Sequence, residues 1–332
     1  MTVEVKLFDS LEAVARDADG CLGRTSQPKL YDRLEWFERT AAHCGLDGQP
    51  LVARGRNQCG SAWLFLNKSG SRAEALASWY TLDFGLIGCG RVDLVAQEIA
   101  KNLRDIAIMS LSPLGDPHII AKAFQKAGWR AEISQSSENW YIHPPADFES
   151  YWQSRPSRLR NTVKRKAKKA NLGIRISERF EETLWADYRA VYAQSWKPDE
   201  GSWEFMEAFA RAEAEAGTLR LGVGYIAGEP VAAQLWTIEH GAATIHKLAY
   251  AESAKKLSPG SILGKAMFEY VIDKDHPEII DYGTGSEPYK ADWMDEVRPL
   301  YRLDLYNIRH PASWFPLAKR GLSGLVGREK RG

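Results

Sequence analysis

Hydrophobic positions in the second half of the chain change period several times, and each change predicts an element. Leu219, Leu221, Val223 and Tyr225 recur at every second place, which is one face of a strand. Gly228-Glu-Pro230 turns the chain, Val231 to Ile238 returns, His240-Gly241 turns again, and Thr244 to Tyr250 makes a third strand. Ahead of this meander the pattern predicts a short helix over Asp147 to Trp152, a basic run, a strand at Ile174 to Ser177, and helices at Glu181 to Gln194 and Trp203 to Ala216, the second closed by Gly217. Beyond it, Ile262, Leu263, Ala266, Met267, Tyr270 and Val271 share one helical face. That helix opens at Pro259-Gly260-Ser261, after a polar loop from Ala251 to Ser258. A strand at Ile279 to Tyr282, a turn at Gly283-Thr-Gly285-Ser, a short helix at Tyr289 to Met294 and a strand at Leu300 to Ile308 complete the half.

The first half reads as strands near Leu51 to Ala53, Ser61 to Leu66 and Ala75 to Leu82, a helix at Asp93 to Leu103, a strand at Ile106 to Leu111, a helix at Ile119 to Ala127 and a strand over Ala131 to Ile142. Pro144-Pro145 then breaks the chain. The fold class is α/β (α+β). The expected division is 1–144, 145–310 and a basic amphipathic tail at 311–332.

Composition narrows the function classes. A chain of 332 residues suits two domains, and 44 Lys+Arg against 43 Asp+Glu give a net charge of only +1, so no global field points to nucleic acid. The N-terminus lacks the layout of a signal peptide, and no apolar run approaches a bilayer span of roughly 18 residues. A cytoplasmic protein is expected. Cys21, Cys44, Cys59 and Cys89 are scattered without metal-ligand spacing, so no metal is expected.

Candidate chemistry gathers around the meander. A helix that starts after a strand and a Gly-containing loop offers unpaired N–H groups and a positive dipole end to a pyrophosphate. Ser258, Pro259, Gly260 and Ser261 fit this role, with Ser258 as N-cap. For proton transfer the stretch offers His246, whose side chain titrates near working pH, and Asp281 at the end of a strand. Each also has a plain role, the histidine as a packed residue and the aspartate as the cap of the next turn. Tyr289 and Lys290 follow as candidate acid and charge neutraliser. The run Arg155 to Lys169, with Arg158 and Arg160, suits a solvated helix, a phosphate clamp or a contact with anionic membrane. Gly85, Gly88 and Gly90 do not have dinucleotide-loop spacing.

Four stretches carry a family resemblance: Gly228-Glu-Pro-Val-Ala-Ala-Gln-Leu-Trp236, His246-Lys-Leu-Ala-Tyr250, Leu257-Ser-Pro-Gly-Ser-Ile-Leu263, and Asp281 to Trp293. Together they resemble the double-GNAT acyltransferases of the CelD-like (cellulose biosynthesis) group, which are related to the Fem-type peptidoglycan transferases. The resemblance implies two tandem GNAT-like domains, the first degenerate, each a mixed, mostly antiparallel sheet flanked by helices. It also implies an acyl-CoA donor, an amine acceptor, and an acyl group lying between two splayed strands, taken here as Val231 to Ile238 and Thr244 to Tyr250. Gln234, Leu235, Trp236, Lys247 and Tyr250 would then join Ser258, Gly260 and Ser261 around the donor, with backbone N–H groups near Leu235 to Thr237 polarising the carbonyl. The Tyr289-Lys290 pair is similar to one in Fem-type relatives, and Leu82-Asp83-Phe84-Gly85-Leu86 resembles the segment that lines the acceptor cleft. The family's Q/R-x-x-G-x-G/A motif is only partly kept: Leu257 stands at the Gln/Arg place and Ile262 at the second small one. Aminoacyl-tRNA therefore stays as a rival donor.

Trp314, Phe315, Ala318, Leu322, Leu325 and Val326 would share a helical face, with Lys319, Arg320, Arg328, Lys330 and Arg331 elsewhere, the pattern of a helix in a membrane interface on the inner face or, given the two glycines within it, of an ordinary docking helix. With 12 Trp residues in the chain, this points to a long-chain acyl group moved to a sphingoid or other lipid amine, as in bacterial ceramide synthase-like members. The alternatives are a Fem-type transfer to an amino sugar or peptide in envelope or exopolysaccharide assembly, and a catalytically inactive GNAT-fold binding protein.

Overall fold

The computed structural model describes residues 2–318. Strands β1 (Glu4–Phe8), β2 (Gln49–Asn57), β3 (Gly60–Ser69), β4 (Arg72–Ala75), β5 (Ile87–Gly90) and β6 (Ile108–Leu114) alternate with helices α1 (Leu11–Ala18), α2 (Leu34–His43), α3 (Val92–Asn102) and α4 (His118–Lys126). Strand β7 (Trp129–Ile142) leads to helices α5 (Phe148–Ser154) and α6 (Ser157–Ala170), strand β8 (Gly173–Ser177), and helices α7 (Glu182–Ala193) and α8 (Trp203–Glu215). Strands β9 (Leu219–Ile226), β10 (Glu229–Glu239) and β11 (Ala242–Tyr250), helix α9 (Pro259–Tyr270), and strands β12 (Ile279–Thr284) and β13 (Glu296–Asn307) follow. The chain forms two compact units, residues 2–137 with 299–318, and Glu138–Arg298.

In the first unit β1, β2 and β3 are antiparallel neighbours, β3 also pairs with β4 and β5, and β4 runs parallel to β6. Strand β13, read from sequence as the last strand of the second half, pairs with β6 here, Tyr301 opposite Leu114 and Leu305 opposite Met109. Leu303 and Leu305 supply side chains to a core with Trp63, Phe65 and Met109, so β13 gains its burial in this unit. Phe37 stacks on Phe65 at 3.9 Å. The strand expected over Ala75 to Leu82 ends at Ala75, because Leu76 and Tyr80 bury their side chains from a turn instead. Strand β1 and helices α1 and α2 carried no sequence-level expectation; α2 buries Trp36 and Phe37 among many polar neighbours.

The second unit has the predicted order, and its sheet runs from the end of β7 through β12, β11, β10 and β9 to β8. Residues Leu219 to Gly224 of β9 are all buried although their sequence alternates, because helices cover both faces. On one face α9 turns Ile262, Leu263, Met267 and Phe268 into the core. Phe268 lies at its centre: Tyr151 and Trp293 stack on it and Trp236 meets it edge-on, each at 5.0 Å. Gly264 permits this packing, since a Cβ there would reach Trp293 at 3.2 Å.

Phe268→Ala should therefore cost about 3–5 kcal/mol, the range for emptying a buried aromatic site. Equilibrium denaturation followed by tryptophan fluorescence checks this, and a shift below about 1 kcal/mol would show that the four-ring cluster does not hold the unit together.

Candidate functional site

The site begins where two parallel strands part. Strand β12 pairs with β11 only through Ala242–Ile279, Ala243–Ile280 and Thr244–Asp281. Beyond Thr244, β11 continues to Tyr250 paired with β10 alone, and β12 turns toward β7. The splay expected between Val231 to Ile238 and Thr244 to Tyr250 is thus corrected. Strand β10 is paired with β9 on one side and with β11 on the other, so the N–H groups of Leu235 to Thr237 lie in the middle of the sheet. Leu235 and Trp236 are fully buried core side chains. Hairpin strands joined by His240-Gly241 have no reason to separate, whereas a crossover through α9 leaves the parallel pair free to diverge.

Asp281 holds the divergence. One carboxylate oxygen accepts hydrogen bonds from the Asn139 amide at 2.6 Å and the Gly283 N–H at 2.7 Å, and the other accepts from Arg298 at 3.0 Å. Burial raises its pKa above the ordinary carboxylate value, opposed by these bonds from Asn139, Gly283 and Arg298. The contacts are those of a turn cap, and both oxygens are engaged. Lys290 is buried on the far side of the same turn. Its ammonium donates to the carbonyl of Thr284 and lies 3.0 Å from Glu287.

His246 sits in a bulge, because Leu235 faces Lys247 while Trp236 faces Ile245. The bulge turns the His246 and Lys247 side chains to one face, where an undisturbed strand would alternate them. The His246 ring shares a hydrogen bond of 2.8 Å with the Thr237 hydroxyl and meets Phe209 of α8 edge-on at 4.8 Å. Burial pushes its pKa down to about 4, with Glu213 opposing and Lys247 adding to the shift. At neutral pH it is an uncharged, packed imidazole.

At the mouth of the splay, Ser258 adopts a left-handed conformation (φ 53°) as the N-cap residue of α9 without capping through its side chain. Pro259 has no N–H, and the first intrahelical bond runs from Ile262 N–H to Ser258 at 3.2 Å, so the Gly260 and Ser261 amides have no acceptor within the helix. Gln234 donates to the Gly260 carbonyl at 3.3 Å and accepts from the Trp236 indole at 2.9 Å, tying β10 to this turn. Gly260 lies under the Tyr250 ring, which a Cβ would meet at 3.1 Å. Ile262, at the second small position of the motif, turns its side chain into the core.

Tyr250 joins this turn to residues that the sequence reading missed. Trp196 lies tilted against it, ring centres 4.3 Å apart. Lys197 and Glu200 lie in the same α7–α8 loop, and Lys247 reaches Glu200 at 3.1 Å. No periodic pattern marks this loop. The available hint was Trp-Lys-Pro-Asp-Glu, an aromatic and charged segment between two helices. Tyr289 lies close to Tyr250 and Glu287; burial pushes its phenol up to about 12, so it keeps its proton at neutral pH.

Three residues expected near substrate have partners of their own. Arg158 is exposed and bonds Asp292, and Arg160 donates to the Arg155 carbonyl. Asp83 belongs to the first unit, where it accepts from the Gly115 N–H at 3.1 Å and pairs with Lys29 at 3.1 Å. Lys164, Arg165, Lys168 and Lys169 of α6 are exposed, with no ion-pair partner among the described residues. Residues 319–332 of the expected tail helix lie outside the described residues. Of its earlier part, Trp314 and Phe315 are exposed. Among the described residues no helix is long and apolar enough to cross a membrane.

The depressed His246 pKa gives a stability prediction. Between its unfolded pKa of 6.5 and its folded value of about 4, the unfolded chain takes up a proton that the folded chain refuses. Stability should therefore fall as pH drops through this window, by about 3 kcal/mol at most. Urea midpoints at pH 7 and 4.5 should show a smaller acid loss for His246→Gln than for the unaltered chain, and equal losses would contradict this.

Residues 157–291 match the family model described as an acetyltransferase (GNAT) domain. No curated protein matches the chain. Among solved structures it is similar to FemX, at 12% identity over 92% of this chain and 98% of that one, with a TM-score of 0.57. It is similar as well to a C-terminal domain attributed to a lysylphosphatidylglycerol synthetase of Agrobacterium fabrum, at 13% identity over 90% and 93% with a TM-score of 0.57. A tandem GNAT protein from the clavulanic acid biosynthesis pathway aligns at 12% identity over 91% and 98%, with a TM-score of 0.50. At such identities the likeness is one of fold. The chain thus has a GNAT fold, and its stretch 157–291, within the second unit, is the part that matches an acetyltransferase domain.

Proposed function

We propose that this protein is an acyl-CoA-dependent N-acyltransferase, moving an acyl group, long-chain in our reading, from a CoA thioester to a primary amine. The observation that carries this is the parting of β11 from β12 after Thr244, next to a helix start with unsatisfied first-turn amides. A pyrophosphate suits those amides and the positive end of the α9 dipole. The thioester would lie along the β11 edge that β12 leaves, with Gly260 under Tyr250 setting how closely the donor approaches. Tyr289 would protonate the departing thiolate, its phenol being neutral at working pH. Asp281 and Lys290 act in this reading by fixing the turn that carries Tyr289 and by holding the strands apart. Residues 1–144 serve as a degenerate GNAT-like partner domain.

A lipid amine of the sphingoid type fits the exposed Trp314 and Phe315, which stand 59% and 79% exposed, and the unpaired cations of α6, which suit the anionic inner face of a membrane. A second reading, transfer to an envelope amino sugar or peptide from another activated donor, is favoured by the missing Gln/Arg at Leu257. FemX and the synthetase named above share the fold in which such chemistry would be housed.

Incubation with palmitoyl-CoA and sphinganine should release thiol, and Tyr289→Phe should lower kcat by about 10²-fold or more while leaving CoA binding intact. Thiol release at background with no CoA bound would move the assignment to the second reading. In sedimentation with vesicles, replacing Lys164, Arg165, Lys168 and Lys169 by Glu should abolish binding to phosphatidylglycerol vesicles. Unchanged binding would remove α6 as the membrane contact.

A further inference from the structure

The loop between α7 and α8 holds a lysine in an unusual setting. Two of the three lysines near the end of β11 are matched by carboxylates, Lys247 by Glu200 at 3.1 Å and Lys290 by Glu287 at 3.0 Å. Lys197 has no carboxylate within ion-pair distance among the described residues. Its ammonium nitrogen lies 5.8 Å from the ring centres of both Tyr192 and Trp196, and Trp196 is the ring tilted against Tyr250, which lies over Gly260. The charges facing it are Lys247 from β11, Glu200 from its own loop, and Glu287 and Lys290 from the turn after β12. Burial and then Lys247, aided by Lys290, outweigh Glu200 and Glu287 and bring its pKa down to about 8. Part of the population is then an uncharged amine at working pH, which a surface lysine near 10.4 is not.

The other bases considered are each held by neighbouring groups. His246 shares a hydrogen bond with Thr237 and packs on Phe209, and both Asp281 oxygens accept hydrogen bonds. Building on the acyl-transfer reading above, we propose that Lys197 is the base that deprotonates the acceptor ammonium, at an acceptor subsite walled by Tyr192, Trp196 and Tyr250. The Lys197 nitrogen takes the first proton and passes it to solvent. The freed acceptor nitrogen attacks the thioester carbonyl, a C–N bond forms, and collapse of the adduct breaks the C–S bond. The second nitrogen proton ends on the thiolate through Tyr289. One ammonium and one thioester thus yield one amide, one thiol and one solvent proton. The uncharged fraction of Lys197 is the one that admits a cationic amine, since the protonated fraction repels it.

Competitive labelling of the full chain with acetic anhydride across pH 6 to 11, read by peptide mass spectrometry, should give Lys197 a midpoint near 8. A midpoint of 10 or above overturns the proposal. In thiol release from palmitoyl-CoA and sphinganine, the unaltered enzyme should gain activity with pH through the same midpoint. Lys197→Arg and Lys197→Gln should both lose that limb and at least about 10²-fold in rate, with CoA affinity, read by tryptophan fluorescence, changed less than twofold. A retained limb in both variants overturns the role of Lys197 and leaves the acyl-transfer reading standing. Absence of both CoA binding and thiol release in the unaltered protein overturns the acyl-transfer reading, and the role of Lys197 with it.

Discussion

Strand β12 leaves β11 after three paired residues, and the Asp281 carboxylate is what turns it away. Bonded to the Gly283 N–H two residues on, to Asn139 of β7 and to Arg298, it draws the chain toward β7 at the point where the register between β12 and β7 shifts. The edge of β11 that results is the feature on which the remaining site depends. The α9 amides open beside it, Tyr250 ends it, and the same carboxylate bonds Gly283, just ahead of the segment that carries Tyr289 and Lys290. A strand that stayed paired would satisfy its own backbone groups and leave no edge for a ligand.

Electrostatics then sorts groups that look alike in sequence. His246 has the side chain best suited by type to proton transfer, yet burial against Phe209 holds it neutral and bonded. Lys197 has the type least suited, yet burial beside two other lysines shifts it toward neutrality. The difference is environment, since desolvation disfavours the charged form of either base. It moves the histidine's pKa away from neutrality and the lysine's toward it.

Packing explains why an incomplete phosphate motif still leaves a formed helix start. Ile262 fills the core, and Gly260, under Tyr250, is the position where a side chain would collide. In the proposed reading the donor-side requirement at this turn is for backbone, and backbone tolerates a changed sequence. The same holds for Gln234, whose side chain binds the Gly260 carbonyl and serves the turn's shape.

By itself the sequence determined the order and type of elements in the second unit, because the meander, the helix face from Ile262 to Met267 and the turns at Gly228 and Gly241 are local patterns of period and backbone freedom. It also marked the helix start at Pro259 and the Asp281 to Lys290 segment. Which strands part, the residence of β13 with β6, the bulge at His246 and the meeting of Trp196, Lys197, Tyr250 and Tyr289 were decided only by tertiary structure. Each of these depends on pairing or burial between residues far apart in the chain, and one-dimensional periodicity carries no record of it. Residue type named the candidates for proton transfer, and only their surroundings set their protonation.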